Sequence, residues 1–194
     1  MTVYDVVQIS LSNKESDAIS ALVTDDENEA FANGSLIGFG LVIEARRRLC
    51  DLKLPTLLEL VEGEDRPVVV ASVFRSGAEA FAGRDGWAVI TGASTPKARS
   101  EAARRFNAGG LRGVAFTIRA GGVGGLSFSR AERLIFVDRE IVPALNTQAE
   151  LRVLRADRTR ALQVTDLIAD HPLEAAVRAR LRRAATHHAM TRPS

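Results

Sequence analysis

Five short apolar runs, rich in β-branched residues, recur from residue 67 onward: 67–74, 87–91, 113–117, 134–138 and 162–168. Each is too short for a helix and lacks the polar alternation of a half-exposed strand. Helical stretches at 77–82, 96–107 and 147–156 fall between several of them, and an amphipathic helix at 173–185 follows the last. Continuous apolar strands alternating with helices imply a parallel sheet covered on both faces. The expected fold class is therefore α/β, an open parallel sheet.

The part upstream is patterned more weakly. Residues 3–11 alternate in part and read as a strand, and 16–23 as a short helix. Residues 41–50 and 57–61 carry helical spacing, with a break expected at Pro55. Asp25, Asp26, Glu27 and Asn28 read as a solvated acidic turn. These features suggest a mostly helical lead-in over 1–62, an α/β core over 63–186 and a flexible tail over 187–194. All 194 residues suit one domain.

Composition narrows the setting. Cys50 is the only cysteine, so no disulfide framework exists. No apolar run approaches the ~20 residues of a membrane span. The N-terminus has no basic segment of the secretory kind. These point to the cytoplasm. A net charge of +2 does not by itself argue for nucleic acid. All but Lys14, Lys53 and Lys97 of the 26 basic residues are arginine, which suits bidentate phosphate contacts. The arginines at 178, 180, 182 and 183 read as a solvated helix face. His187 and His188 are adjacent, so they diverge on a helix, and no metal site is expected there.

The polar motifs gather at strand ends. The run 87–91 leads into Gly92, Thr95 and Arg99, and a helix then reaches Phe106 and Asn107. The run 113–117 leads into Thr117-Ile118-Arg119-Ala120-Gly121-Gly122-Val123-Gly124. The run 134–138 ends at Asp138. Next comes Gln148-Ala149-Glu150-Leu151-Arg152-Val153-Leu154-Arg155. Two arginines three apart share one face of a helix, and a glycine-rich backbone can approach phosphates closely. In an open parallel sheet, ligands bind at the carboxyl ends of the strands.

These elements, in this order, resemble the C-terminal RecA-like lobe of superfamily 2 helicases, specifically the SNF-type translocases and their annealing-helicase-like branch. The resemblance covers roughly residues 45–183. Arg46-Arg47-Arg48 and Lys53-Leu54-Pro55 look like the family's linker before the lobe. The resemblance implies that Arg152 and Arg155 are fingers on ATP phosphates. It implies that Gln148 supports the nucleotide edge, and that Gly122 and Gly124 let the loop approach the nucleotide. It places Thr95, Arg99, Thr117 and Arg119 toward the DNA backbone. The chain departs from the family at Gly124-Gly125, where one glycine is usual, and at Ile141-Val142, where Trp-Asn is usual. Leu154 and Ala156-Asp157-Arg158 also differ from the family's finger segment.

No phosphate loop of the form G-x-x-x-x-G-K-[ST] occurs. The expectation is a second helicase lobe that completes an ATP and Mg²⁺ site on a separate first-lobe protein carrying the Walker motifs, with DNA as the other partner. The alternative is a degenerate, non-catalytic DNA- or protein-binding module. An unrelated α/β enzyme for a phosphorylated small molecule ranks behind both.

Overall fold

The computed structural model describes residues 1–121, 125–154 and 161–190. In chain order the elements are β1 (Thr2–Ile9), α1 (Asn13–Ser20), α2 (Asp25–Ala32), α3 (Phe39–Glu62), β2 (Val68–Ser72) and α4 (Arg75–Glu79). They continue with β3 (Trp87–Ile90), α5 (Pro96–Asn107), β4 (Gly113–Thr117), α6 (Ile118–Gly121), β5 (Arg133–Phe136), α7 (Pro143–Leu151), β6 (Leu162–Ala169) and α8 (Pro172–Met190). The strands form one six-stranded sheet in the order β1-β6-β5-β2-β4-β3. Every strand pair is parallel. The five apolar runs are its β2 to β6, and the expected α/β class is the observed one.

Alternate residues of each strand feed opposite cores. Val69, Ala71, Val114, Phe116, Leu134 and Phe136 pack on one face, with Phe106 of α5 and Ala149 of α7. Val68, Val70, Ala115 and Ile135 pack on the other, with Leu57 and Val61 of α3 and Ala78 of α4. A third cluster joins α1, α2, α3 and α8 through Ile19, Phe31, Leu49 and Leu173. Trp87, partly buried at the start of β3, stacks on Phe81 at 4.0 Å between ring centroids. A Cβ on Gly113 would lie 2.5 Å from the same indole, so only glycine fits beneath it.

The segment 1–62 contributes one strand to the sheet. β1 pairs with β6 along its whole length, from Thr2↔Leu162 to Ile9↔Ala169. The acidic residues after Thr24 are the first turn of α2, which corrects their reading as a turn. The Thr24 hydroxyl accepts from the Glu27 N–H, and the Glu27 carboxylate accepts from the Thr24 N–H at 2.8 Å. Such a capping box satisfies donors that a helix start leaves open, and acidic residues there meet the positive end of the helix dipole. α3 runs through Pro55 unbroken. Pro55 is on the exposed side, where water can serve the carbonyl it leaves unbonded. The buried stripe continues past it from Lys53 to Leu57 and Val61. α8 extends to Met190, into the segment read as a tail. Arg180 is no solvated side chain: it donates to the carbonyls of Phe31 and Ser35 and lies over the Phe31 ring.

Candidate functional site at the carboxyl edge of the sheet

The chain leaves β2 by α4 toward β3 on one face, then returns through β4 to β5 on the far side of β2. α7, which follows β5, lies on the opposite face from α4. The crevice between the carboxyl ends of β2 and β5 is therefore the switch point of the sheet, where open α/β folds place ligands. Asp138 closes its floor. Its carboxylate accepts from the Val73 N–H and the Ser72 hydroxyl, both at 2.8 Å.

Beneath this floor lies Lys53, 1% exposed. Its ammonium donates to the carbonyls of Val137 and Leu167 at 3.0 and 3.1 Å and pairs with Glu174. The residue that resembled a family linker is thus a buried strut from α3 to the ends of β5 and β6. Cys50 lies nearby, facing the hydroxyls of Ser72 and Ser76. Burial, above all, pushes its thiol far above the ordinary range. It is an inert core residue.

At the end of β3, Thr95 caps α5 by accepting from the Ala98 N–H at 3.2 Å, with Pro96 opening the helix. The exposed Thr95 hydroxyl keeps its proton for an outside acceptor. Arg99 points inward. Its Nε donates to the Ser94 carbonyl at 3.0 Å. Its terminal amines reach the carbonyls of Thr91, Gly92 and Ala120 at 3.3–3.4 Å. It ties the loop after β3 to the end of α6, a role that spacing alone did not show.

Thr117 ends β4 and is nearly buried. Arg119 follows in α6 with its side chain 74% exposed, and its Nε donates to Glu140 at 3.1 Å. Gly121 is required by packing: a Cβ there would lie 2.3 Å from the Phe116 ring. Gly122 and Gly124 lie outside the described residues.

Gln148 is exposed on α7. The helix was expected over 147–156; it runs Pro143–Leu151, and Arg152 is its C-cap. The last turn tightens there. Arg152 N–H reaches back to the Ala149 carbonyl, and the N–H groups of Val153 and Leu154 both reach Glu150. The Arg152 carbonyl accepts from the Phe128 N–H at 2.7 Å, and its Nη1 donates to the Leu126 carbonyl at 3.2 Å. Arg152 is therefore tied to the segment leaving the glycine loop. Arg155 lies outside the described residues.

Residues that the sequence reading passed over hold this edge in place. Asn146 clamps Glu140, accepting from its N–H and donating to its carbonyl at 2.8 and 2.7 Å. Arg139 lies 3.8 Å above the Phe136 ring and joins Glu150 of α7 to Asp166 of β6. The Tyr4 phenol, from β1, donates to the same Glu150 at 3.1 Å. Burial, and then the Glu150 carboxylate, push that phenol up. A run of acidic and amide residues after a strand was the only local signal for these roles.

A groove of about 820 Å³ between α2 and α8 lies away from this edge and is lined by Ala32, Arg180 and Thr186 among others. It lacks the strand-end donors, so the switch point is the better candidate. Among the described residues, no group of three His, Cys, Asp or Glu is placed to hold a metal ion. No helix among them is long and apolar enough to cross a membrane.

No family model matches the chain, and no curated protein matches its sequence. Among solved structures, it is similar to the crystal structure of the C-terminal part of the Fun30 ATPase domain. The TM-score is 0.57 at 20% identity, over 65% of this chain and 44% of that one. The chain thus spans less than half the length of that structure, and at this identity the likeness is one of fold. With its six parallel strands and its helices on both faces, the protein has the fold of a RecA-like lobe, resembling the C-terminal lobe of an ATPase domain.

Proposed function

We propose that the chain is the second lobe of an ATP-dependent DNA helicase or translocase of the SNF type, working with a separate first-lobe protein. The observation that carries this reading is the placement of Thr95, Thr117 and Arg119 at the carboxyl ends of β3 and β4 in a RecA-like sheet, together with the tie from Arg152, at the end of the Gln148 helix, to the segment leaving the glycine loop. Hydroxyls, amides and guanidinium groups suit phosphate oxygens. The same edge offers little to a cation: the Asp138 carboxylate is taken by Val73 and Ser72, and Glu140 is paired with Arg119. In this reading Mg²⁺ and its acidic ligands come with the partner, as does the phosphate loop.

In this reading Arg152 and Arg155 neutralise charge that develops on the transferred phosphoryl group, while Gln148, Gly122 and Gly124 border the nucleotide. Bound ATP and Mg²⁺ supply the phosphoryl chemistry. Thr95, Thr117 and Arg119 hold the DNA backbone without reading sequence, and Arg99 fixes the loop that carries Thr95. The test mixes the purified chain with a phosphate-loop protein encoded beside it and measures ATP hydrolysis with and without duplex DNA. DNA-stimulated hydrolysis should appear only in the mixture. Arg152→Ala should lower it by about 10³-fold or more, the scale of an arginine finger. No gain over the partner alone, or no loss in Arg152→Ala, refutes the reading.

One observation favours a second reading, a non-catalytic DNA- or protein-binding module. Arg152 caps its helix and donates to the Leu126 carbonyl. DNA binding that ignores ATP and is unchanged by Arg155→Ala would select it.

A further inference from the structure

We infer that Glu140 is a positioning residue for Arg119, holding its guanidinium so that both terminal amines face a phosphate of the nucleic-acid backbone. The inference rests on the DNA-binding reading above and adds to it the device that aims the contact. Glu140 is 3% exposed, and the Arg119 side chain is 74% exposed. A nearly buried carboxylate so placed either repels a nearby phosphate or orients the arginine that binds it, and the hydrogen bonds decide between these.

The backbone of Glu140 is clamped on both sides by Asn146. Oε1 of its carboxylate accepts from the Ile141 N–H at 3.1 Å, and Oε2 accepts from Arg119 Nε at 3.1 Å. The acceptor is therefore fixed and the arginine is held by one nitrogen only. Among the described residues, Nη1 and Nη2 of Arg119 have no hydrogen-bond partner. A guanidinium held at Nε still presents its two terminal amines, and these form the fork that matches a phosphate. An unanchored arginine would lose more side-chain freedom on binding. The Asn146–Glu140–Arg119 chain ties the exposed amines of α6 to the first half of α7, the helix that carries Gln148 and is capped by Arg152.

Short labelled single-stranded and duplex oligonucleotides of mixed sequence, titrated with the full chain by fluorescence anisotropy, test this. Arg119→Ala should weaken binding. Glu140→Ala should also weaken it several-fold, although it removes a negative charge from the binding edge. Glu140→Gln, which keeps one acceptor oxygen, should fall between Glu140→Ala and the wild type. Electrostatics alone predicts the reverse, with both variants tighter than the wild type. In an Arg119→Ala background, Glu140→Ala should bring no further loss. Should Glu140→Ala fail to fold, Glu140→Asp replaces it. That variant keeps the charge, draws the carboxylate back by one methylene and should bind more weakly than the wild type. Glu140 variants that bind as tightly as the wild type, or tighter, while Arg119→Ala weakens binding overturn the inference and leave the DNA reading intact. A wild-type chain that binds neither oligonucleotide overturns both.

Discussion

The backbone N–H of Val73 donates to the Asp138 carboxylate at 2.8 Å and so joins the ends of β2 and β5, where the winding of the sheet reverses. The Ser72 hydroxyl takes the other carboxylate oxygen. Removing the carboxylate leaves the partly buried Val73 N–H without its acceptor and hands the Ser72 hydroxyl to the Phe74 carbonyl, 2.9 Å away. Asp138→Ala is expected to lower stability by about 2–3 kcal/mol, the scale for hydrogen bonds to a charged group. Asp138→Asn, which keeps one acceptor, should lose less. Urea unfolding of both variants measures this, and an Ala variant as stable as the wild type removes Asp138 from the account of the switch point.

Gly121 is packed against Phe116 so closely that a Cβ would meet the ring at 2.3 Å. Gly121→Ala should destabilise by about 1–3 kcal/mol, as overpacking does. Phe116→Leu in the same chain should recover part of that loss by making room. Thermal unfolding of the single and double variants decides. Additive losses would mean that the two residues do not meet.

Arg99 and Arg119 should differ in how they affect DNA binding. Arg99 spends all three guanidinium nitrogens on backbone carbonyls, so Arg99→Ala should lower thermal stability and leave the salt dependence of binding unchanged. Arg119→Ala should also cost some stability, because it leaves the nearly buried Glu140 carboxylate with the Ile141 N–H and without its cation. It should reduce the slope of log affinity against log salt by about 0.7–0.9, the loss of one phosphate contact. A reduced slope in Arg99→Ala would mean that Arg99 itself meets DNA.

Stability should fall in two steps as pH drops. Burial lowers the pKa of His171, whose Nδ1 accepts from the Leu173 N–H at the start of α8. A depressed histidine contributes stability that is present above its unfolded value of 6.5 and lost as pH falls through the folded value. Glu64 follows. Its hydrogen bonds to Arg66, supported by Arg133, pull its carboxyl from 4.5 down to about 2. That contribution is present above pH 4.5 and lost as pH falls toward about 2. Urea midpoints of the wild type, His171→Gln and Glu64→Gln across this range test both steps. His171→Gln should flatten the first and Glu64→Gln the second.

Much of this protein was legible in its local sequence. The apolar runs marked five of the six strands of the sheet as buried on both faces, because a strand covered on each side has no polar positions to alternate. The partial alternation at 3–11 marked β1 as a strand. The order of strand ends placed Thr95, Thr117 and Arg119 near one edge, because parallel strands all point one way. Ser12 with Glu15 and Thr24 with Glu27 also carried their helix starts in plain spacing, yet the first helix was placed three residues late, at 16–23, and the second was misread as a turn.

Tertiary structure alone decided the rest. β1 pairs with β6, far away in the chain, and its residues carry no mark of that partner. Pro55 sits in an unbroken helix because packing on both sides of it outweighs one missing hydrogen bond. The guanidinium of Arg99 turns to four carbonyls, while that of Arg119 turns to a single carboxylate and leaves its amines outside. Local sequence sets which backbone conformations are cheap. The direction of a long, charged side chain depends on which unpaired carbonyls and carboxylates the folded chain brings within reach, and those come from residues distant in sequence.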